Sequence, residues 1–196
     1  MFDTAPTIIK PLAKPLHGTC RVPGDKSISH RAVLFSAMAE GTSTLVGVLD
    51  SSDVRASIDA VQKLGATVQL EKQADGSLAG TVTGWGKKGP VQPDGPLYCA
   101  NSGTTARLLM GILAPWDIEV RLEGDESLSK RPMRRITAPL MKMGVSFDPA
   151  GAETLPITEH GTTTLKAITY DAPMASAQLK TAVLLAGLRE IGRAHV

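Results

Sequence analysis

Three residues near the N-terminus, Lys26, Ser27 and Arg31, have the types and the spacing of a phosphate or carboxylate site. They follow Pro23 and Gly24 and stand where an apolar helical pattern begins. Ser27 is predicted to cap that helix, because a serine oxygen can accept a hydrogen bond from a free amide of the first turn. The other free amides and the helix dipole favour an anion there, and Lys26 and Arg31 add two cations. An isolated set of this kind could equally be a solvated helix start.

Polar residues and cations recur at later positions where helices are predicted to begin. Apolar helix patterns at 106–114 and 182–188 each follow a short polar run, as the pattern at 28–39 does. Arg131 directly precedes Pro132, a favourable first residue of a helix, and Gly103 would let a ligand approach the backbone closely. The other candidate residues at these starts are Asn101, Ser102, Thr104, Arg107, Ser176, Ala177 and Gln178.

The elements that must position these residues form an internal repeat. Leu64-Gly65 and Met143-Gly144 are 79 positions apart, and Arg31 and Arg107 are 76 apart. A repeat of about 75–80 residues predicts an α/β fold of equivalent units. Strands are predicted at 18–22, 44–49, 67–72, 78–85, 118–122, 145–147 and 164–170, amphipathic helices at 50–64 and 133–143, a loop at 86–96 and an acidic turn at 124–127.

The two ends of the chain carry separate expectations. Residues 1–17 are rich in proline and are predicted to form an extended arm, and residues 18–190 an incomplete domain whose third repeat is truncated. Residues 191–196 have no apolar period and match one reading frame of a common sequencing adapter. They are therefore predicted to be a non-native tail.

Composition argues against several classes of function. The net charge is +2 and aromatic residues make up 4% of the chain, which disfavours nucleic-acid binding. Cys20 and Cys99 are far apart and fit a reducing cytoplasm, and the histidines have no metal-binding spacing, so no metal is expected. Since no apolar run is long enough for a spanning helix, no membrane is expected.

The run from Gly24 to Ser27 resembles the end of a nucleotide-binding P-loop. In this chain Asp25 separates the glycine from Lys26, and no glycine stands five positions before Gly24. Pro23 also removes one of the amides that such a loop uses to hold phosphates. A nucleotide kinase is therefore not favoured.

Four motifs, in order along the chain, resemble those of the EPSP synthase family. They are PGDKSISHR at 23–31, NSGTTAR at 101–107, GDESLSKRPM at 124–133 and PMASAQLK at 173–180. The resemblance implies an α/β fold of two similar domains, each with three βαβαββ units around buried parallel helices. This chain would then cover most of one domain, and residues 1–17 would join the other.

The resemblance also implies an activity and a set of site residues. The family transfers the enolpyruvyl group of phosphoenolpyruvate to the 5-hydroxyl of shikimate 3-phosphate and releases phosphate, without a cofactor. Lys26 would be catalytic and would contact both substrates. Shikimate 3-phosphate would contact Lys26, Ser27, Arg31, Ser176, Ala177 and Gln178, and phosphoenolpyruvate would contact Lys26, Gly103, Arg131 and Gln178, with Asn101, Thr104 and Arg107 in support.

Further expectations follow from the same resemblance. One branch of the family has a second serine at the position of Ala177, so a hydroxyl contact is absent here. The acid and base groups would belong to the second domain, so this chain alone is expected to be inactive. The full-length enzyme is expected to be a cytoplasmic monomer that binds small molecules only. The alternatives are an enolpyruvyl transferase acting on UDP-N-acetylglucosamine, a non-catalytic anion-binding fragment, and a fragment that does not fold.

Overall fold

A computed structural model describes residues 11, 15, 17–172 and 175–189. Within these ranges the helices are α1 Lys26–Met38, α2 Ser52–Lys63, α3 Gly103–Leu113, α4 Glu126–Ser129, α5 Arg134–Lys142 and α6 Ala177–Gly187. The strands are β1 Thr42–Val48, β2 Thr67–Lys72, β3 Leu78–Thr83, β4 Leu97–Tyr98, β5 Glu119–Glu123, β6 Ser146–Asp148 and β7 Ile157–His160.

Two sheets with the same internal order confirm the predicted repeat. One has the strand order β1-β3-β2, and the other has the order β4-β5-β7-β6. Removing β4 leaves two antiparallel sheets in which β1, β2 and β3 correspond to β5, β6 and β7. The second unit, from β4 through α3, β5, α5 and β6 to β7, is a complete βαβαββ unit with a four-residue helix inserted before α5.

The amphipathic helices α2 and α5 bury the apolar positions that their spacing predicted. In α2 and at its C-terminal cap, Val54, Ile58, Val61 and Leu64 lie in the core, and in α5 and at its ends Met133, Ile136, Leu140 and Met143 do the same. Ser51 caps α2 by accepting a hydrogen bond from the amide of Val54 at 3.3 Å. Helix α2 packs against α1 and α3, and α5 packs against α3 and α6.

Helix α3 lies at the centre of the fold. Apart from Thr104, every residue from Gly103 to Leu113 is buried. A β-carbon at Gly111 would lie 2.2 Å from the carbonyl oxygen of Ala182, so the missing side chain allows α6 to pack directly against α3. The expectation of three helices buried on all sides holds for α3 only. Helices α1 and α6 leave large apolar side chains exposed, among them Ile28, Phe35 and Leu184.

Several predicted boundaries were wrong, and hydrogen bonding explains them. Residues 18–22 and 164–170 alternate like strands but form no ladder, although Leu165 packs into the core. Strand β7 was missed because it is short and carries the polar Glu159 inward. The acidic turn at 124–127 begins α4, because the Asp125 side chain accepts from the amide of Leu128 at 2.7 Å and caps it. The loop at 86–96 opens with a 3-10 turn at Gly86–Lys88.

The expectations for the two ends fall almost wholly outside the described residues. The arm predicted at 1–17 includes only residues 11, 15 and 17 of the described ranges, and the tail predicted at 191–196 lies beyond them. In the part of the chain that the structure describes, no helix is long and apolar enough to cross a membrane.

Candidate anion-binding site

Hydrogen bonds near their N-termini join α1 to α6 and α6 to α3, as the repeat predicted. Gln178 in the first turn of α6 donates from Nε2 to Oγ1 of Thr104 in α3 at 3.1 Å. Arg31 of α1 donates from Nη2 to Oγ1 of Thr181 in α6 at 3.4 Å. Three positive helix ends therefore face the same region, where their free amides and dipoles favour an anion.

The cap of α1 differs from the prediction. Asp25, not Ser27, caps this helix, and its carboxylate accepts from the amide of Ile28 at 2.8 Å. Asp25 was passed over because Ser27 is an equally good cap by type, and the helix starts one residue earlier than expected. Ser27 therefore does not cap the helix, and its side chain is exposed at the start of α1. Ser102 and Ser176 cap α3 and α6 by accepting from the amides of Thr105 and Leu179.

Lys26 and Arg31 form the part of the site that belongs to α1. Lys26 lies at the surface, and its Nζ is 3.0 Å from a carboxylate oxygen of Asp53 at the start of α2. Arg31 is half-buried, and its Nη1 donates to the carbonyl of Ser27 at 3.1 Å. Ala177 is the exposed first residue of α6. Both cations thus remain accessible to a ligand from solvent.

Gln178 is the centre of a second group of polar residues, which joins α3, α5 and α6. Its side-chain oxygen accepts from Nη1 of Arg107 at 2.9 Å and from Nη2 of Arg135 at 3.4 Å. Its nitrogen donates to Thr104, so the orientation of the amide is fixed by three bonds. Gln178 therefore holds two guanidinium groups next to the first turn of α3.

Arg107 is a buried cation without a carboxylate partner among the described residues. Its side chain is 4% exposed, and its Nη2 donates to the carbonyl of Pro132 at 3.2 Å. Burial lowers the pKa of Arg107 to about 10, and the positive charges of Arg135 and Arg131 act in the same direction. Burying a charge without a counter-ion is costly, so this group of arginines favours an incoming anion.

Gly103 lets the Arg107 side chain fold back over the start of α3. A β-carbon at Gly103 would lie 2.6 Å from Nη1 of Arg107, closer than real β-carbons approach other atoms. The sequence predicted that this glycine allows a ligand to approach the backbone. In this structure the group that approaches it is the guanidinium that Gln178 holds.

Arg131, which the sequence placed just before a helix start, is held in place by Asn101. Its Nη1 donates to the backbone carbonyl of Asn101 at 3.3 Å, and its Nη2 donates to the side-chain oxygen of the same residue. The amide nitrogen of Asn101 in turn donates to Asp125. Hydrogen bonds from Leu128 and Asn101 lower the pKa of Asp125, so its carboxylate is ionised. The negative charge polarises the Asn101 amide and strengthens the hydrogen bond that its oxygen accepts from Arg131.

A buried chain of hydroxyl groups lies behind the site and connects α1, α2 and α3. Nδ1 of His30 is 2.8 Å from Oγ of Ser57, which is 2.7 Å from Oγ1 of Thr105. Thr105 donates to Ser102, so Ser57 must donate to Thr105 and accept from His30. Nδ1 of His30 therefore carries the proton.

Protonating His30 would place a second N–H on Nε2, which is buried and has no partner among the described atoms. Burial lowers the pKa of His30 to about 4. The negative charge of Asp53 opposes this shift, and Lys26 and Arg31 reinforce it. A neutral His30 therefore connects α1 to α2 and α3 without adding charge.

The residues predicted from sequence fall into two neighbouring groups. Lys26, Ser27 and Arg31 lie on α1, and the group around Gln178 comprises Gly103, Thr104, Arg107, Asn101 and Arg131. The bond between Arg31 and Thr181 connects the groups through α6, and the hydrogen bonds of the described residues do not join Lys26 to Gln178.

Arg31 and Arg107 are not equivalent, although their spacing matched the repeat. Arg107 is the fifth residue after its cap Ser102, and Arg31 is the sixth after its cap Asp25. His30 is the residue of α1 that corresponds to Arg107, and both are buried. The one-residue offset therefore leaves Arg31 half-buried near the surface.

Sequence reasoning missed two charged residues of this region. Asp53 is the partner of Lys26, and it was interpreted only as part of a helix start. Arg135 lies four residues after Arg131, and this helical spacing could have placed both on one face. Its contact with Gln178 had no such signal, because the two residues are 43 positions apart in the chain.

Other parts of the molecule offer less for chemistry. A cleft of about 460 Å³ lies at the opposite ends of α1, α3 and α6 and is largely apolar, with Trp85, Trp116 and Leu188 among its lining residues. Burial raises the pKa of the Cys99 thiol to about 12, which makes it a poor nucleophile. In the described ranges, no three His, Cys, Asp or Glu residues cluster in a way that could hold a metal ion.

Comparison with known proteins identifies the family. A family model described as EPSP synthase (3-phosphoshikimate 1-carboxyvinyltransferase) matches residues 11–196. The chain is 47% identical to the 3-phosphoshikimate 1-carboxyvinyltransferase of Halorhodospira halophila over 92% of its own length and 40% of that protein. The match to the same enzyme of Brevibacillus brevis is 47% identical and covers 41% of that protein.

Solved structures agree with the sequence matches. An EPSP synthase from Acinetobacter baumannii superimposes with a TM-score of 0.77 and 43% identity, over 87% of this chain and 38% of that one. The chain thus spans about 40% of the length of the curated relatives it matches. With the repeated fold and the motif residues gathered at three helix starts, these matches show that the chain belongs to the EPSP synthase family.

Proposed function

We propose that this chain is the N-terminal part of a 3-phosphoshikimate 1-carboxyvinyltransferase and contributes the anion-binding half of its active site. The assembled enzyme transfers the enolpyruvyl group of phosphoenolpyruvate to the 5-hydroxyl of shikimate 3-phosphate and releases phosphate. The observation that supports this most is the buried Arg107 beside Arg131 and Arg135, with no described carboxylate as counter-ion. Two substrates that carry phosphate and carboxylate groups would supply the missing negative charge.

The site residues divide between the two substrates. Lys26, Ser27 and Arg31 bind shikimate 3-phosphate at the exposed start of α1, and Ser176, Ala177 and Gln178 bind it from α6. Gly103, Arg131 and Gln178 bind phosphoenolpyruvate, with Lys26 reaching both ligands. Asn101, Thr104 and Arg107 hold these groups in place through the bonds described above.

In this proposal the chain aligns and neutralises the substrates more than it moves protons. Fixed guanidinium and ammonium groups offset the charge that develops as the tetrahedral intermediate forms, and they need little rearrangement during the reaction. Proton transfer at the methylene carbon and at the 5-hydroxyl requires acid and base groups. Those groups are proposed to come from the part of the enzyme that this chain does not cover.

Lys26 is proposed to be the catalytic residue of this half, released from Asp53 when the substrates bind. The two side chains are 55% and 20% exposed, so solvent screens their ion pair and its contribution to stability is small. Exchanging one carboxylate for the phosphate of a ligand therefore costs little.

The test is an assay of phosphate release from phosphoenolpyruvate and shikimate 3-phosphate by the full-length protein. Lys26→Met is expected to reduce kcat by at least about 100-fold, because a positioned charge acts on both substrates. Lys72→Met removes a similarly exposed lysine paired with Asp50 and should leave kcat unchanged. The 196-residue chain alone is expected to be inactive. Activity of the short chain, or a preference for UDP-N-acetylglucosamine, would contradict the proposal.

The setting of the enzyme follows from the same proposal. Cys20 and Cys99 are both free thiols, which fits a reducing cytoplasm. The full-length enzyme is proposed to be a monomer that binds neither nucleic acid nor membranes. Sedimentation velocity of the full-length protein over a range of concentrations would reveal any dimer.

A further inference from the structure

Arg135 lies in the first turn of α5 and points toward the group around Gln178. Its Nη2 is 3.4 Å from the side-chain oxygen of Gln178, the same oxygen to which Arg107 donates. The Nε atoms of both arginines are buried and have no hydrogen-bond partner among the described residues. Two guanidinium groups therefore share one neutral acceptor, and a buried N–H group of each is unsatisfied.

The neighbouring Arg134 provides a direct contrast. Its side chain is 72% exposed, and its Nη1 donates to Glu153 at 2.7 Å. No described carboxylate lies within ion-pair distance of Arg135, although the two arginines are adjacent in sequence. Surface cations normally find either solvent or a carboxylate, and Arg135 has a buried Nε with neither.

The shared oxygen of Gln178 occupies the place that an anionic oxygen would fill. A carbonyl oxygen carries only a partial negative charge, whereas a phosphate or carboxylate oxygen adds the Coulomb attraction of a full negative charge to its hydrogen bonds with a guanidinium group. A phosphate dianion has three terminal oxygens and can accept from Arg107 and Arg135 at once. A carboxylate offers fewer acceptors and half the charge.

We propose that Arg135 is an anion-binding residue and forms, with Arg107, a phosphate pocket that the side-chain oxygen of Gln178 occupies in this structure. Phosphate enters by replacing the Gln178 oxygen as the shared acceptor. Arg135 then determines the preference of the pocket for a dianionic phosphate over a carboxylate. This inference deepens the proposed function and rests on it only for the identity of the natural anion.

Calorimetric titration of the purified chain with inorganic phosphate, and with acetate at equal ionic strength, tests the pocket. The Arg135→Gln variant is expected to bind phosphate about 10- to 100-fold more weakly, the loss typical of a removed hydrogen bond to a charged group. Arg134→Gln removes the same charge one residue away and should stay within twofold of the parent. Arg135→Lys keeps the charge without the fork of donors and should recover part of the affinity. Circular dichroism verifies that each variant is folded.

A second readout separates direct contact from a general charge effect. The Nε–H signals of Arg107 and Arg135 in nitrogen-15 spectra should shift on addition of phosphate, whereas the signal of Arg134 should not. Equal losses in Arg134→Gln and Arg135→Gln, equal affinity for acetate and phosphate, or no phosphate binding by the parent would overturn the pocket. Phosphate binding requires no enolpyruvyl transfer. An inactive full-length enzyme with an intact phosphate response would therefore refute the proposed function and leave the pocket standing.

Discussion

Acidification from pH 7 to pH 5 is expected to destabilise this chain through one buried imidazole, that of His30. The residue is inaccessible to solvent, its Nδ1 is bonded to Ser57, and its Nε2 has no described partner. Burial lowers its pKa from 6.5 to about 4. The unfolded chain therefore takes up a proton between these two values, while the folded chain does not.

The sign and size of the effect follow from this difference in proton uptake. The contribution of His30 to stability is fully present above pH 6.5 and is lost as the pH falls toward 4. For these two pKa values the loss between pH 7 and pH 5 is about 2 kcal/mol of unfolding free energy. Local relaxation and water entry would reduce the figure, so about 2 kcal/mol is an upper value for this interval.

Urea denaturation at several pH values, with wild type compared with His30→Asn, measures this contribution. The Asn side chain can reach Ser57 as Nδ1 does but does not titrate, so the two stability curves should converge by about 2 kcal/mol between pH 7 and pH 5. His17→Asn serves as a control, because it removes an exposed imidazole. The pH dependence of wild type alone does not isolate His30, because the buried Glu159 contributes a change in stability with pH of the opposite sign. A difference between wild type and His30→Asn that stays constant over this interval would refute the reasoning.

Two further substitutions test other features. Glu159 is buried with no partner for either carboxylate oxygen among the described residues, and burial raises its pKa well above the usual value. The folded chain therefore keeps a proton that the unfolded chain loses above about pH 4.5, so stability falls as the pH rises. Replacing Glu159 by Leu is expected to stabilise the chain, and urea denaturation should give a larger gain at pH 8 than at pH 5. Gly103→Ala should displace the Arg107 guanidinium, because the new β-carbon would lie 2.6 Å from Nη1. The chain should then bind inorganic phosphate about 10-fold more weakly in calorimetry with little change in unfolding free energy, and unchanged affinity would contradict this geometry.

The repeat and the core could be predicted because they depend on periodicity. The spacing of Val54, Ile58 and Val61 specifies the buried face of α2 without knowledge of its neighbours, and the structure confirms it. The segment at 164–170 shows the limit of this reasoning. Its residues alternate as in a strand, but among the described residues its backbone makes one long-range bond, from Lys166 to the carbonyl of Met143, and pairs with no strand.

The site could be predicted in part, since residue type identifies an anion-binding group but not its partner. Lys26, Arg107 and Gln178 were identified from sequence, and two of them proved to be bonded to each other. The partners Asp53 and Arg135 were missed because each contact depends on how two helices pack. Such contacts have no signature within a single window of sequence.

The offset between Arg31 and Arg107 shows how a repeated fold can build an asymmetric site. The fifth position after the cap points into the core in both helices, where α1 carries His30 and α3 carries Arg107. A neutral imidazole can be buried there at little cost, whereas a guanidinium requires an anion. The half of the site on α1 therefore presents solvated cations, whose attraction for a ligand is screened by salt. The half on α3 and α6 holds a buried charge that a bound anion would neutralise at low dielectric. One fold unit used twice thus produces two different kinds of anion site, and the difference arises from a single position in the helix.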